Sequence, residues 1–228
     1  VEELDKSPAK IRGMFGRIAL RYDLLNHVLS FNSDRRWRKR AAAAVEGAPG
    51  RVLDLACGTG DLLAEISDGT RRAVGADFCV DMLVVARRKL EGRAMSLAAA
   101  DALALPFPDS SFGAVTIAFG VRNFSDLARG LSEIRRVLRP GGSLCVLEFS
   151  RPPGLWGAIT RLHSRLVVPT LGGALSGDRD AYRYLNRSVR AWPDRSRFET
   201  TLREAGYRDV RSHPLGLGLV ALHRAVRP

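Results

Sequence analysis

A chain of 228 residues with 46% hydrophobic content suits one domain with a substantial core, and no stretch of it approaches the roughly 20 apolar residues needed to cross a bilayer. Its formal charge of +12 rests almost wholly on arginine, since lysine occurs only as Lys6, Lys10, Lys39 and Lys89; genome composition, a nucleic-acid surface and anionic lipid head groups each account for such a balance. Cys57, Cys79 and Cys145 are odd in number and widely separated, which argues against a disulfide framework or a paired-cysteine zinc site and fits a reducing cytoplasm.

The N-terminal VEELDKSPAK carries acidic residues and no apolar run, so no signal peptide is expected, and the missing initiator Met suggests a start within a longer reading frame. From Ser7 to Leu20, Ile11, Met14, Phe15 and Ile18 recur at helical spacing. RYDLLNHVLSF follows, then a helix from Asp34 to Val45 that opens with RRWRKR. That run could grip phosphates or a membrane surface; more often such a run is a solvated face with one anchoring aromatic, here Trp37. Glu46 to Gly50 is a loop.

Arg51 to Leu62, RVLDLACGTGDL, organises the rest. Val52, Leu53 and Leu55 flank Asp54 in a buried strand, where an unpaired charge costs several kcal/mol. Gly58 and Gly60 allow a tight turn, and Asp61 opens a helix whose positive end faces whatever lies beside the loop. A dinucleotide fingerprint would place a third glycine where Leu63 stands, so a ligand without phosphates moves ahead of a pyrophosphate. The plain alternative is an ordinary strand-to-helix turn.

Arg71 to Asp77 is a second strand ending in a carboxylate, 17 residues beyond Gly60, about where an acid in a βαβ unit meets ribose hydroxyls. Met82 to Leu90 is the next helix, and Ala94 to Ala100 a third strand that ends at Asp101. Acids at three successive strand ends, Asp54, Asp77 and Asp101, point to one polar ligand lying across a parallel sheet. A proline-rich turn leads to a fourth strand, Ala114 to Phe119, whose end carries Gly120, Arg122 and Asn123. Ser125 is expected to cap a helix running to Leu138, RPGG stops it, and Ser143 to Phe149 is a fifth strand.

Beyond Ser150 the rhythm changes. Leu155 to Leu175 is apolar but interrupted by Pro169, Gly172 and Gly173. Gly177 to Trp192 follows, with Arg179, Arg183, Arg187 and Arg190 at helical spacing, as a substrate lid. Phe198 to Ala205 is a helix, and Tyr207 to Ser212 and Gly218 to Ala225 are a closing strand pair. The alternation predicts an α/β fold with a doubly wound, Rossmann-like sheet, N-terminal helices and a helical lid before the last two strands. One domain would then comprise a helical cap (1–48), a cofactor-binding core (49–150), the lid (151–196) and a closing helix with its strand pair (197–228).

The acid, the two close glycines and Thr59 resemble the first motif of class I S-adenosylmethionine methyltransferases. MFGRIALRYDLLNHVLSF, ADALALPFPDSSF, TIAFGVRNF, RVLRPGG, VLEFSRP and AYRYL extend the likeness over most of the chain. Together they resemble the quinone-biosynthesis C-methyltransferases, which methylate demethylmenaquinol and, in related enzymes, a polyprenyl methoxybenzoquinol. The resemblance implies S-adenosylmethionine as cofactor, its methionine part against Gly58, Thr59 and Gly60, its ribose on Asp77, its adenine amino group on Asp101, and the Ala102 backbone against the ring. It implies C-methylation of a prenylated quinol, demethylmenaquinol first and the benzoquinol of ubiquinone biosynthesis as the alternative. Ala118 stands where relatives have serine, Asn186 where proline is usual, Trp192 where phenylalanine is usual and Gly216 where threonine is usual; the last three put the identity of the quinol in question.

A ring carbon becomes nucleophilic when a ring hydroxyl loses its proton. Arg122 and Asn123 are therefore the candidate catalytic pair, the arginine by fixed charge and the asparagine by orienting a hydroxyl or a water. The structural alternative pairs Arg122 with Glu148 or Asp101. His27 could act as a base but is more often structural in such a helix, Tyr22 and Tyr182 could line the quinol pocket, and no residue spacing suggests a metal. A prenylated substrate implies a cytoplasmic protein in transient contact with the inner face of the membrane, through Leu155 to Leu175 or the arginine face after it. A homodimer is open. Rival readings are an RNA methyltransferase, for which no NPPY-type loop or paired-cysteine motif speaks, and a nucleotide-binding module without catalysis; no nucleic-acid partner is expected.

Overall fold

The computed structural model describes residues 5–67, 73–152, 154, 157 and 179–228. Among these residues seven strands form one sheet: β1 (Val52–Leu55), β2 (Ala73–Asp77), β3 (Met95–Ala99), β4 (Phe112–Ala118), β5 (Leu138–Phe149), β6 (Arg208–Leu215) and β7 (Val220–Val226), in the order β3-β2-β1-β4-β5-β7-β6. The pairings among β1 to β5 are parallel, while β7 runs antiparallel to both β5 and β6. Parallel strands need cover on both faces, and every residue of β1 and nearly every residue of β4 is buried. The order reverses between β1 and β4, and such a switch point opens a crevice at the carboxyl ends of the strands.

The helices are α1 (Pro8–Ile18), α2 (Tyr22–Leu29), α3 (Ser33–Ala43), α4 (Asp61–Ile66), α5 (Val80–Lys89), α6 (Leu127–Val137), α7 (Arg179–Ala191) and α8 (Arg195–Glu204). One core contains Phe112, Ile134 and Phe198, and a second contains Ala41, Leu63 and Ala86. A third cluster joins Ile11, Met14 and Leu25 to Met82 of α5 and to Ala181 and Tyr184 of α7. The N-terminal helices and α7 therefore share one small core against α5. Arg183, Arg187 and Arg190 lie on the exposed side of α7, as their spacing predicts.

Several boundaries differ from the sequence expectation. RYDLLNHVLSF contains a separate helix, α2, which ends where Phe31 and Asn32 adopt φ of 50° and 58°. Asp126, not Ser125, caps α6: its carboxylate accepts the Arg129 amide at 2.9 Å. β5 begins at Leu138 instead of Ser143, because Leu138 pairs with Phe112 before a register shift brings Ser143 opposite Ala114. β6 continues through Pro214 to Leu215, which an edge strand tolerates because one row of its backbone groups needs no partner. The Leu155 to Leu175 segment lies outside the described residues except for Gly157.

Candidate active site

The chain leaving β1 makes three left-handed turns in quick succession, at Ala56 (φ 54°), Gly58 (φ 55°) and Gly60 (φ 85°). A Cβ on Gly60 would stand 2.5 Å from the Leu90 side chain, so this glycine lets the loop close onto α5. A Cβ on Gly58 would instead enter the space under the Tyr22 ring, 4.0 Å from its nearest atom. Ala56 holds the same conformation without a glycine's freedom, which costs of the order of 1 kcal/mol, and strain of this kind gathers at functional sites.

Asp77, at the end of β2, accepts the Gly58 amide on Oδ2 and the Cys79 amide on Oδ1, each at 2.8 Å. Burial pushes its carboxyl up, and these backbone donors only partly offset that. Asp101 is exposed beyond β3 and accepts the Leu103 amide at 2.9 Å. Asp77 and Asp101 line a cavity of about 830 Å³, open to solvent on one side, together with Gly58, Ala102, Phe119 and Asn123.

Gly58, Asp77, Asp101, Ala102 and Asn123 therefore share one cavity, and Tyr22, expected in the quinol pocket, lines it too. Thr59, Gly60 and Arg122 are not in its wall. Thr59 is buried and donates its hydroxyl to Asp23 of α2. Arg122 is buried too, and its Nη1 lies 3.0 and 3.2 Å from the two carboxylate oxygens of Glu148, itself fully buried. The same nitrogen donates to the Phe119 carbonyl, and the guanidinium lies over the Phe149 ring. The pairing of Arg122 with Glu148, the structural alternative, is thus present.

Asp54 corrects the expectation of three acids along the crevice. It stands one residue before the end of β1, opposite Thr116 of β4, whose hydroxyl donates to Oδ1 at 2.8 Å, while Oδ2 has no protein partner. Burial pushes this carboxyl up to about 7, and it lines no part of the cavity. His27 is likewise outside the wall, with Nδ1 2.8 Å from Asp34 Oδ2. His27, Asp34 and Asp61 could offer three metal ligands, yet the Arg38 guanidinium already bonds Asp34 and lies 3.6 Å from Asp61.

Two groups at the site, one in the cavity wall and one bonded to it, have no counterpart among the sequence candidates. Tyr184 of α7 donates its hydroxyl to Asn123 Oδ1 at 3.1 Å, and burial pushes its phenol up to about 12. AYRYL offers two tyrosines, and only the docking of α7 distinguishes them; the side chain of Tyr182 is outside the described residues. Lys6 lines the cavity, its amine pushed down by burial and then by the charge of Arg122. No pattern in the sequence marks it. Of the four positions that depart from the resemblance, Ala118 alone lines the cavity: Trp192 packs on Phe198 in the main core, and Gly216 lies against Trp37.

A family model described as the ubiE/COQ5 methyltransferase family matches residues 3–227. The chain is 51% identical over 221 residues to a demethylmenaquinone methyltransferase of Thermus thermophilus, covering 94% of this chain and all of that one. It is 46% identical over 227 residues to a protein of the same name from Deinococcus radiodurans, covering 97% and 93%. Among solved structures, a SAM-dependent methyltransferase of Thermotoga maritima, described as a possible histamine N-methyltransferase, has a TM-score of 0.70 at 17% identity over 95% of this chain and 99% of that one. A SAM-dependent methyltransferase of Aquifex aeolicus has a TM-score of 0.59 at 17% identity over 83% and 89%. At such identities the two structures speak for the fold.

Proposed function

This chain belongs to the ubiE/COQ5 methyltransferase family, and we propose that it methylates a ring carbon of demethylmenaquinol with S-adenosylmethionine, giving menaquinol. What carries this reading at the site is one cavity in which a pair of nucleoside acceptors, Asp77 and Asp101, shares the wall with Asn123, to which Tyr184 is bonded. The residues present fit the cofactor: Gly58 leaves the loop bare where a side chain would fill the space, Asp77 can accept ribose hydroxyls, and Asp101 can accept the adenine amino group beside Ala102. When bound, S-adenosylmethionine supplies an activated methyl group on a sulfonium.

The protein's own task is to hold the quinol carbon in line with that methyl, at about 3–3.5 Å, and to favour the ionised quinol. Asn123, steadied by the Tyr184 hydroxyl, orients a ring hydroxyl or a water beside it. Arg122 acts from behind the wall: held by Glu148, it fixes the short turn Val121–Asn123, and its charge reaches the phenols of Tyr22 and Tyr184 and so also a quinolate in the same space. A guanidinium holds its proton too tightly to serve as a literal base. Thr59 and Gly60 shape the loop. The prenyl tail implies transient contact with a membrane surface from the cytoplasmic side, and among the described residues no helix is long and apolar enough to cross a membrane.

The test supplies methyl-labelled S-adenosylmethionine with reduced short-chain demethylmenaquinol or methoxybenzoquinol. Label in the naphthoquinol ring is the expected result. Label only in the benzoquinol would move the protein to the ubiquinone branch, and label in neither would remove the quinol reading.

A further inference from the structure

Leu20, Leu24, Val28 and Phe31 project into solvent along α2 and its flanking turns, with 83, 65, 44 and 82% of their surfaces exposed. Spaced three or four residues apart, they form one stripe. Leu25 of the same helix is buried and Tyr22 lines the cavity, so α2 has one face in the protein and another apolar face bare. A contiguous apolar surface on a soluble fold marks a contact.

The charges around the stripe decide what it contacts. Between Leu20 and Val45 the only carboxylates are Asp23 and Asp34. Asp23 is engaged by Lys89 and Thr59, and Asp34 by Arg38, His27 and Ser30. On α3, which packs against α2, the exposed charges are Arg35, Arg36, Lys39 and Arg40, all positive. Apolar side chains beside cations with no exposed carboxylate among them complement the head-group level of an anionic bilayer.

We propose that the Leu20–Phe31 stripe and the basic face of α3 seat this protein on an anionic lipid surface. The inference rests on the reading of a prenylated quinol as substrate, and it differs from the contact expected at Leu155 to Leu175. Because Tyr22 belongs to the seated helix, one wall of the cavity would lie at the membrane surface, where a quinol ring could pass into it while its tail stays in lipid.

Flotation of the whole chain with vesicles of phosphatidylcholine and phosphatidylglycerol, against phosphatidylcholine alone, tests the seat. The Leu24→Gln/Phe31→Gln and Arg35→Gln/Arg36→Gln variants change exposed side chains only, and calorimetric binding of S-adenosylhomocysteine checks that each is folded. The wild type should float with the anionic vesicles alone, and each double variant should lose about tenfold or more of that affinity, while turnover of a short-chain, water-dispersed quinol is unchanged. Flotation of Leu24→Gln/Phe31→Gln at wild-type level would overturn the seat, as would equal flotation of the wild type on neutral vesicles. A wild-type dimer that this variant dissociates without loss of flotation would make the stripe an interface between copies and overturn it too. If the wild type floats as expected but methylates no soluble quinol, the substrate reading fails and the lipid seat stands.

Discussion

Asp54 in the sheet and Asp34 in the helical cap are almost equally buried, 1% and 2% exposed, and their carboxyls move in opposite directions. Asp54 has a single hydroxyl donor from Thr116 and an oxygen with no protein partner, so burial prevails and its pKa rises to about 7. At Asp34 burial also works upward, but Ser30, Arg38 and His27 all reach the carboxylate and hold it below its ordinary value. At Asp54 the apolar body of the sheet accommodates a carboxyl by letting it keep its proton up to about pH 7. The cap is fastened by matched charges: Arg38 bonds Asp34 and lies near Asp61, while Lys89 bonds Asp61 and Asp23. Since Asp23 also receives the Thr59 hydroxyl, the chain of charges ends on the glycine loop of the cavity.

The most damaging way to test this contrast is Arg38→Ala. Arg38 is buried, and its loss strands Asp34 without its cation, a change that typically costs about 3–5 kcal/mol. Urea denaturation should show a lower midpoint. A loss below about 1 kcal/mol, the worth of an exposed pair, would mean that packing rather than charge holds the cap.

Asp54→Asn tests the sheet. Between about pH 4 and 7 folded wild type holds a proton on Asp54 that the unfolded chain has released, so this group's contribution to stability falls as pH rises and is level above pH 7. His223 runs the other way: burial lowers it to about 4, so between pH 4 and 6.5 the unfolded chain holds the extra proton and stability rises with pH. The two slopes oppose each other in wild type. Removing Asp54 exposes the second slope, and the stability of the variant relative to wild type should grow by about 3–4 kcal/mol between pH 4 and 8. Parallel pH profiles would show that Asp54 is ionised in the fold.

At the cavity itself, Asp77→Asn keeps an acceptor but loses the charge that the Gly58 and Cys79 amides share and that the ribose hydroxyls of the proposed cofactor would share. The affinity for S-adenosylhomocysteine, read by calorimetry, should fall about ten- to a hundredfold, which is roughly 1.4–2.7 kcal/mol. Unchanged affinity would remove Asp77 from the cofactor site.

The contrast also explains what could be read from the amino-acid sequence. β1 to β4 are apolar runs closed by glycine or acid, and the parallel sheet and the two acids at its crevice follow from them. Asp54 is misread because its direction depends on facing Thr116, a register that β1 alone does not contain. Thr59 reads as a ligand contact because nothing local announces Asp23, which lies far away in the chain. Apolar residues surround α2 on several sides, so spacing does not reveal that Leu24 and Phe31 stay bare while Leu25 is covered. In each case a partner brought by the fold decides the role.

The smallest expected effect lies where the two regions meet. Tyr184 packs among cap residues, yet its hydroxyl is bonded to Asn123 at the end of the sheet. Tyr184→Phe keeps the ring and removes one hydrogen bond, worth about 0.5–1.5 kcal/mol. If that bond orients Asn123 for the quinol, kcat/KM for the quinol should fall about three- to tenfold while KM for S-adenosylmethionine is unchanged. If it only ties the lid to the sheet, the same energy appears as lost stability and kcat/KM holds. Because burial pushes this phenol to about 12, it stays protonated from neutral to mildly alkaline pH, and the ratio of wild-type to variant rates should not change with pH in that range. A ratio that did change would give the phenol a part in proton transfer and leave Asn123 without a fixed donor during the reaction.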